Sequence, residues 1–467
     1  MRKPNLIEAF IPVAAMLLLL GVGYGYMKLP IQALLIAAAF ITFLLGKRLG
    51  LSWDQMMKGI SDKISSSMIS VLVMVCVGAL IASWMVSGTI PMMIYYGIKL
   101  INPRFLLVTA FLVTAVVSSF TGTSFGSAGT IGLAIMGVAQ ALGVPLPAAA
   151  GAVISGSVFG DKLSPFSDTT ILAPIAAGCD LYDHIKHMLW TTGASTIVCL
   201  VVYTVAGFVM PVNAEATAET AAKMLSALDG LYQFNILLLL PALLVLVGAF
   251  LKKPIIPMLL GASVAALILG MIFQGFSLKG CLDAMVSGFR VTMIPALAKD
   301  AQVLPQIATL LNRGGMMGMM GIVLLVICSC AYAGIVSVTG CTETILEALR
   351  KGIHSVGTLI TSTALSGILM SVISGSSYLA ILIPGEMFRD MFAKQGLHPK
   401  NLSRTLEDAG TCVVPLVPWA TAGIYMANTL GVPTTSYFPW AILCYTASIF
   451  AVIFGFTGIG IARLKKN

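Results

Sequence analysis

The sequence predicts an all-α polytopic membrane protein built as two inverted-topology repeats, with about ten spans, two re-entrant helical hairpins and two broken helices. Three observations carry that expectation. The chain is 58% hydrophobic and only 10% charged over 467 residues, where a water-soluble domain carries about 25% charged residues. Apolar runs recur at near-even spacing from end to end, which leaves no stretch for an attached soluble domain. Finally, a polar motif, Thr121-Gly122-Thr123-Ser124-Phe125, returns as Ser374-Gly375-Ser376-Ser377-Tyr378, an offset of 253 residues. The register persists beyond the motif, so that Gly143 falls on Gly396 and Pro165 on Pro418.

The expected spans of the first half are 6–26, 30–46, 68–86, a broken helix at 147–178, and 185–210. Those of the second half are 231–251, 255–273, 316–338, a broken helix at 401–430, and 436–462. The segments flanking the polar tips, 104–142 and 357–394, read as hairpins that enter and leave on the same side, two full spans each being the alternative. The chain therefore divides into a first repeat at 1–210, an external acidic linker at 211–230 and a second repeat at 231–467. With both termini on the cytoplasmic side, Lys47, Arg48, Lys186, Lys252, Lys253, Lys400, Lys465 and Lys466 fall inside, as the positive-inside rule requires. The linker, with Glu215, Glu219 and Asp229, falls outside. The opening Met-Arg-Lys-Pro and the apolar run after it read as an uncleaved first span rather than a signal peptide.

Each half also carries an amphipathic stretch, opened by Gly50-Leu-Ser and by Gly275-Phe-Ser, which reads as a connecting helix lying in the headgroups. The offset between halves grows from 225 there to 252 at Gly88 and Gly340, which puts extra residues at 292–315. That segment reads as an added interfacial or half-inserted helix. Trp53, Trp84, Trp190 and Trp440 sit near span ends, where an aromatic belt would form.

Several function classes drop out. The nine cysteines lie mostly in apolar runs without a CxxC pair or Cys/His cluster, which argues against disulfides and resident metals. The net charge of +9 is scattered over loops, so nucleic-acid binding is not expected. No nucleophile–base constellation points to an enzyme, and no cofactor motif is present. His184 and His187, beside Asp180 and Asp183, read as solvated loop residues.

Unsatisfied polar backbone costs several kcal/mol in hydrocarbon, so each polar tip must line a cavity or be wrapped by protein. Paired tips and Pro-broken helices are the pattern of a secondary transporter. The first break reads Gly160-Asp-Lys-Leu-Ser-Pro-Phe-Ser-Asp168. Pro165 forbids a continuous helix by removing a donor and clashing one turn back, and acids at bilayer depth mark functional sites. Asp161 and Asp168, with Ser164, Ser167 and freed carbonyls, suit sodium or a proton; magnesium or calcium would want more carboxylates. Lys162 either points away, pairs with an acid elsewhere or balances the charge of the site. The second break, Glu407-Asp408 through Thr411, Pro415 and Pro418, has Val414 and Thr421 where the first has its acids. Asp408 is the stronger buried candidate there, since Glu407 has Arg404 within reach as a surface partner. The tip residues Thr121, Gly122, Thr123, Ser124, Ser374, Gly375, Ser376 and Ser377 read as ligands, as caps of the following helices, or as both.

Gly122-Thr-Ser, the Gly160–Thr170 run, Leu311-Asn-Arg-Gly-Gly-Met316 and Glu407-Asp-Ala-Gly-Thr411 together resemble the NhaC family of bacterial sodium/proton antiporters, over essentially the whole chain. The resemblance implies residence in a bacterial cytoplasmic membrane, sodium and protons as transported ligands, and a homodimeric assembly. It also implies inverted repeats with re-entrant hairpins, and a second possibility for cargo: small organic acids such as malate and lactate. A buried carboxylate shared by sodium and proton, reached by alternating access, is the mechanism expected.

Overall fold

A computed structural model describes residues 2–27, 29–210, 214–251, 253–297 and 305–464. In the first half, α1 (Leu6–Leu18) runs on as π-turns to Tyr26 and is followed by α2 (Ile31–Arg48). Next come α3 (Trp53–Ser87) and α4 (Thr89–Leu100). α5 (Leu106–Thr121), α6 (Ser124–Ser127) and α7 (Leu133–Ala141) fill the first hairpin. α8 (Leu146–Leu163) and α9 (Asp168–Ala177) are the first broken helix, and α10 (Leu181–Val209) closes the half.

The second half opens with α11 (Ala214–Leu231), α12 (Leu240–Phe250), α13 (Ile255–Phe273), α14 (Leu278–Ser287) and α15 (Pro305–Leu311). α16 (Met320–Thr339) and α17 (Cys341–Arg350) lead to the second hairpin, α18 (Val356–Ser374) and α19 (Ser377–Lys394). The second broken helix is α20 (Lys400–Leu406), a π-turn at Glu407–Thr411, a 3-10 turn at Val414–Leu416 and then α21 (Thr421–Leu430). α22 (Thr434–Tyr437) and α23 (Ile442–Thr457) follow. Among the described residues, 8 helices are long and apolar enough to span a membrane, or up to 11 if three bent pairs each count as one span. The chain is a multi-pass membrane protein.

The inversion is visible where equivalent helices touch. α3 and α16 correspond at the offset of 252, and they pack antiparallel: Gly59 lies against Gly334, while Gly78 lies against Gly315 and Met319. The contacts are themselves duplicated. Gly315 N–H donates to Gly78 O at 2.7 Å, and at the equivalent positions Cys330 Sγ approaches Lys63 O at 3.9 Å. Glycine at the crossings lets the two backbones approach closely, as small residues do between membrane helices.

Both hairpins form. α5 runs parallel to α8, with Phe111 beside Gly156 and Ala115 beside Gly160. The segment between them must therefore carry the chain back. In the second half α19 runs antiparallel to the helix it precedes, with Ala380 beside Gly410 and Leu406 beside Gly385. Each hairpin turns on a glycine in the left-handed region, Gly122 at φ 63° and Gly375 at φ 61°, a conformation that costs other residues strain. The hairpins are tied to the broken helices by one repeated bond. Ser118 Oγ donates to Ser157 O at 2.6 Å, and Ser371 Oγ donates to Gly410 O at 2.7 Å.

Several expectations are corrected. The stretch from Gly50 to Ile64 is no separate surface helix: Ser52 caps a single helix of 35 residues, and Lys63 is buried. Its counterpart α14 is short, and the added segment follows it. The middle of 292–315 lies outside the described residues, but α15 is packed inside the protein, with Ile307, Leu310 and Leu311 buried. Leu310 reaches Gly137 on α7. The linker 211–230 is helical over its described part and buries Met224 and Leu228. Trp84 is a core residue, 1% exposed, and takes no part in a belt. His184 and His187 are buried rather than solvated, bonded to Ser403 (2.8 Å) and Asn401 (3.1 Å) of α20. Lys252, Lys465 and Lys466 lie outside the described residues.

Candidate functional site

The two tips and the two breaks meet. Gly122 rests against Phe166 in the first break, and Gly375 against Trp419 and Ala420 in the second. Around this junction lies a cavity of about 620 Å³. Thr121, Gly122, Thr123, Ser124, Asp161, Lys162, Pro165, Asp168, Gly375, Ser376, Ser377, Glu407, Thr411 and Pro415 all line it. Exposed Asp168, Tyr378, Lys253 and Pro254 mark its mouth. Phe125 also lines the cavity; its ring stacks on Tyr425 at 4.4 Å, and Tyr425 Oη donates to Phe125 O at 2.7 Å.

The first break spans Ser164 to Ser167, where Ser164 leaves the helical region at ψ 126°. Freed carbonyls there are partly taken up by the chain itself. Thr170 Oγ1 donates to Asp161 O at 3.0 Å and to Lys162 O at 3.2 Å. What remains turned to the cavity is mainly side chain. The Asp161 carboxylate faces the Ser124 hydroxyl, the Ser124 backbone amide and the Ser167 hydroxyl. Asp168 lies further out and accepts a hydrogen bond from Tyr378 Oη at 3.3 Å, a contact between the first break and the second tip.

The π-turn in the second broken helix decides which of its two acids reaches the cavity. Glu407, 1% exposed, lines it; its Oε1 accepts from Thr411 Oγ1 at 2.9 Å and from Thr169 Oγ1 of α9 at 3.2 Å. Its Oε2 is buried without a hydrogen-bond donor. Asp408 points the other way and forms a buried ion pair with Lys162, at 0% and 1% exposure. This resolves the three readings of Lys162 in favour of a partner in the other half. A lone charge here would be prohibitive, whereas a paired one is tolerable. Arg404 does not pair with Glu407; it is buried and donates to Gly460 O at 2.9 Å.

Four candidates stand back from the cavity wall. Ser164 accepts from Phe166 N–H at 3.3 Å, and Ser374 Oγ donates to Met370 O at 2.7 Å, so both serve the backbone. Asp408 is held by Lys162, and Pro418 lies in the break between the 3-10 turn and α21. Sequence reasoning missed Thr169, Tyr378, Thr421 and the serines Ser66, Ser67 and Ser70 of α3, which all line the cavity. The signal was present in Ser65-Ser66-Ser67, a polar cluster where the charged first turns of α3 give way to its apolar length.

No group of three or more His, Cys, Asp or Glu side chains is arranged for a resident metal among the described residues. A monovalent cation passing through needs no such cluster.

The sequence profile of the Na+/H+ antiporter family matches residues 31–187 and 158–459. A Haemophilus influenzae protein described as an uncharacterized Na(+)/H(+) antiporter is 47% identical, covering 100% of this chain and 98% of its own length. The Na(+)/H(+) antiporter NhaC of Alkalihalophilus pseudofirmus is 37% identical over 93% of this chain and 90% of its own. The malate-2H(+)/Na(+)-lactate antiporter of Bacillus subtilis is 34% identical over 100% and 97%. With the profile matching most of the chain and near-complete coverage on both sides, the chain belongs to the Na+/H+ antiporter family.

Proposed function

We propose that the protein is a secondary active transporter that exchanges sodium for protons across the bacterial cytoplasmic membrane, with Asp161 as the carboxylate the two cations share. The observation that carries this reading is the convergence of both tips and both breaks on one cavity lined by the half-buried Asp161, the buried Glu407 and neutral hydroxyls. Sodium binds the ionised Asp161 with help from the Ser124 and Ser167 hydroxyls, and a proton displaces it by removing the charge. Competition of this kind makes cation affinity depend on pH. The exposed Lys253 and Pro254 on the cavity wall suit a conformation open to the side on which they lie. Access then alternates as the hairpins and broken helices move against α3, α16 and the remaining spans. Both termini lie in the cytoplasm, 1–210 and 231–467 act as the two repeats, and the protein works as a dimer.

A second reading is favoured by size. A cavity of about 620 Å³ exceeds what a bare cation needs, and the N-termini of α6 and α19 offer positive ends to an anion. Exchange of small carboxylates coupled to sodium and protons would use the same acids. One experiment separates the readings: proton release from purified protein on adding sodium, repeated with malate and lactate. Simple exchange gives sodium-dependent release that neither acid alters. Release or uptake that requires an organic acid establishes the second reading, and no sodium response at all defeats both.

A further inference from the structure

We infer that Glu407 is a second, proton-only site of the exchange, separate from the cation cradle at Asp161; the inference rests on the sodium/proton reading above. The two acids line the same cavity but are furnished differently. Asp161 faces two hydroxyls and a backbone N–H and stands open to the cavity, so a cation there meets the acid and neutral oxygens together. Glu407 has donors on one oxygen only. Thr169 and Thr411 both serve Oε1, while Oε2 is buried with no donor in reach. A buried carboxylate oxygen left bare carries a desolvation penalty. A proton placed on Oε2 removes both the charge and the deficit, and turns the oxygen into a donor.

The charged surroundings point the same way. Asp161 and Lys162 face Glu407 from α8, and Cys412 lies beside it on its own segment. Lys162 is committed to Asp408, so it does not serve as a dedicated counter-charge for Glu407. α18 and α23, packed on the same π-turn, bring no carboxylate or amine, the charged residues of α19 (Glu386, Arg389, Asp390, Lys394) are exposed beyond its contact with Gly410, and α20 brings Lys400 at its far end and Arg404, which is buried and donates to Gly460 O. Asp168, from α9, sits out at the mouth. Both acids cannot stay ionised at low cost once sodium has left the cavity, and protons on both restore neutrality. The cycle then balances as one sodium leaving Asp161 against one proton bound at Asp161 and one at Glu407. It moves one net charge per turn.

The test uses the full-length protein in liposomes, with the membrane potential clamped at zero by potassium and valinomycin, and finds the pH gradient that stops net flux. With two protons per sodium, a tenfold sodium gradient is balanced by about half a pH unit; with one proton per sodium, it is balanced by about one unit. Wild type is expected at half a unit, E407Q at one unit, and E407D, which restores a titratable acid, again at half. If E407Q is not recovered folded, E407L serves in its place. The inference is overturned by a wild-type balance at one unit, by E407Q still balancing at half, or by a folded E407Q that no longer moves sodium, since Glu407 would then belong to the cation cradle. Failure of the underlying reading looks different: wild-type protein would show no sodium-driven proton flux at any gradient, and Asp161→Asn would change nothing.

Discussion

The two broken helices share a backbone plan and divide the charges between them. Ser118 and Ser371 make the same bond to the same place on each broken helix, and Gly122 and Gly375 turn the two tips alike. Yet Asp161 aligns with Val414, Lys162 with Pro415, and Asp408 with Ser155. The amine of one half is buried against the acid of the other. The lesson is that the duplicated backbone builds the cavity, while the differences between its copies furnish it. Mutations at matched positions should have matched effects when they touch the frame and unmatched effects when they touch the charges.

The largest difference is expected at Asp161. Replacing it by Asn should weaken sodium affinity by about 100-fold, the loss of about 3 kcal/mol that follows removal of one charge from a desolvated pair. Its counterpart Val414→Ala should leave affinity within a few-fold. Sodium-dependent proton release from the purified variants measures both.

Next comes the pair across the halves. Lys162→Met or Asp408→Asn alone strands a buried partner and should lower stability by about 3–5 kcal/mol, seen as a fall in the thermal midpoint in detergent. The double variant Lys162→Met/Asp408→Leu should recover most of that loss. A double variant as unstable as the worse single would show that the pair is not what holds the halves together here.

At the frame, Ser118→Ala and Ser371→Ala should each cost about 1 kcal/mol of stability, and by similar amounts. Clearly unequal losses would mean that the repeat is looser than its geometry suggests. The smallest effect belongs to the mouth. Tyr378→Phe removes one hydrogen bond to an exposed acid, so the sodium concentration for half-maximal flux should change no more than about threefold.

Much of this was legible in the chain. The repeated tip motif located both hairpins, and Pro165 and Pro418 located both breaks, because local backbone chemistry decides where a helix must stop. The choice between Glu407 and Asp408 was not legible. Neighbouring residues on a helix point about 100° apart, and the π-turn at Glu407–Thr411 shifts that phase in a way no composition rule anticipates. Partners far apart in sequence were equally hidden. Lys162 meets an acid 246 residues on, and His184 finds Ser403 at 219. His184 read as a loop residue, and the acid that Lys162 would pair with had no name, because nothing nearby in the chain announces either contact. The serines of α3 escaped notice because single hydroxyls in an apolar run usually bond back to their own helix, as Ser66 and Ser67 do to Lys63 O.

One join in the second half has a consequence of its own. Met316 N–H donates to Met285 O at 3.0 Å, and by the two offsets these positions correspond to Ile64 and Ile60 of α3, a single helical step apart. The ladder of α14 thus resumes ahead of α16 as though 27 of the 30 residues 286–315 were absent. An excursion that starts and finishes on adjacent rungs can lengthen, shorten or change its composition without rotating the helix beyond it, so this is where relatives of the protein can diverge in what they present at that face while the transport core keeps its phase.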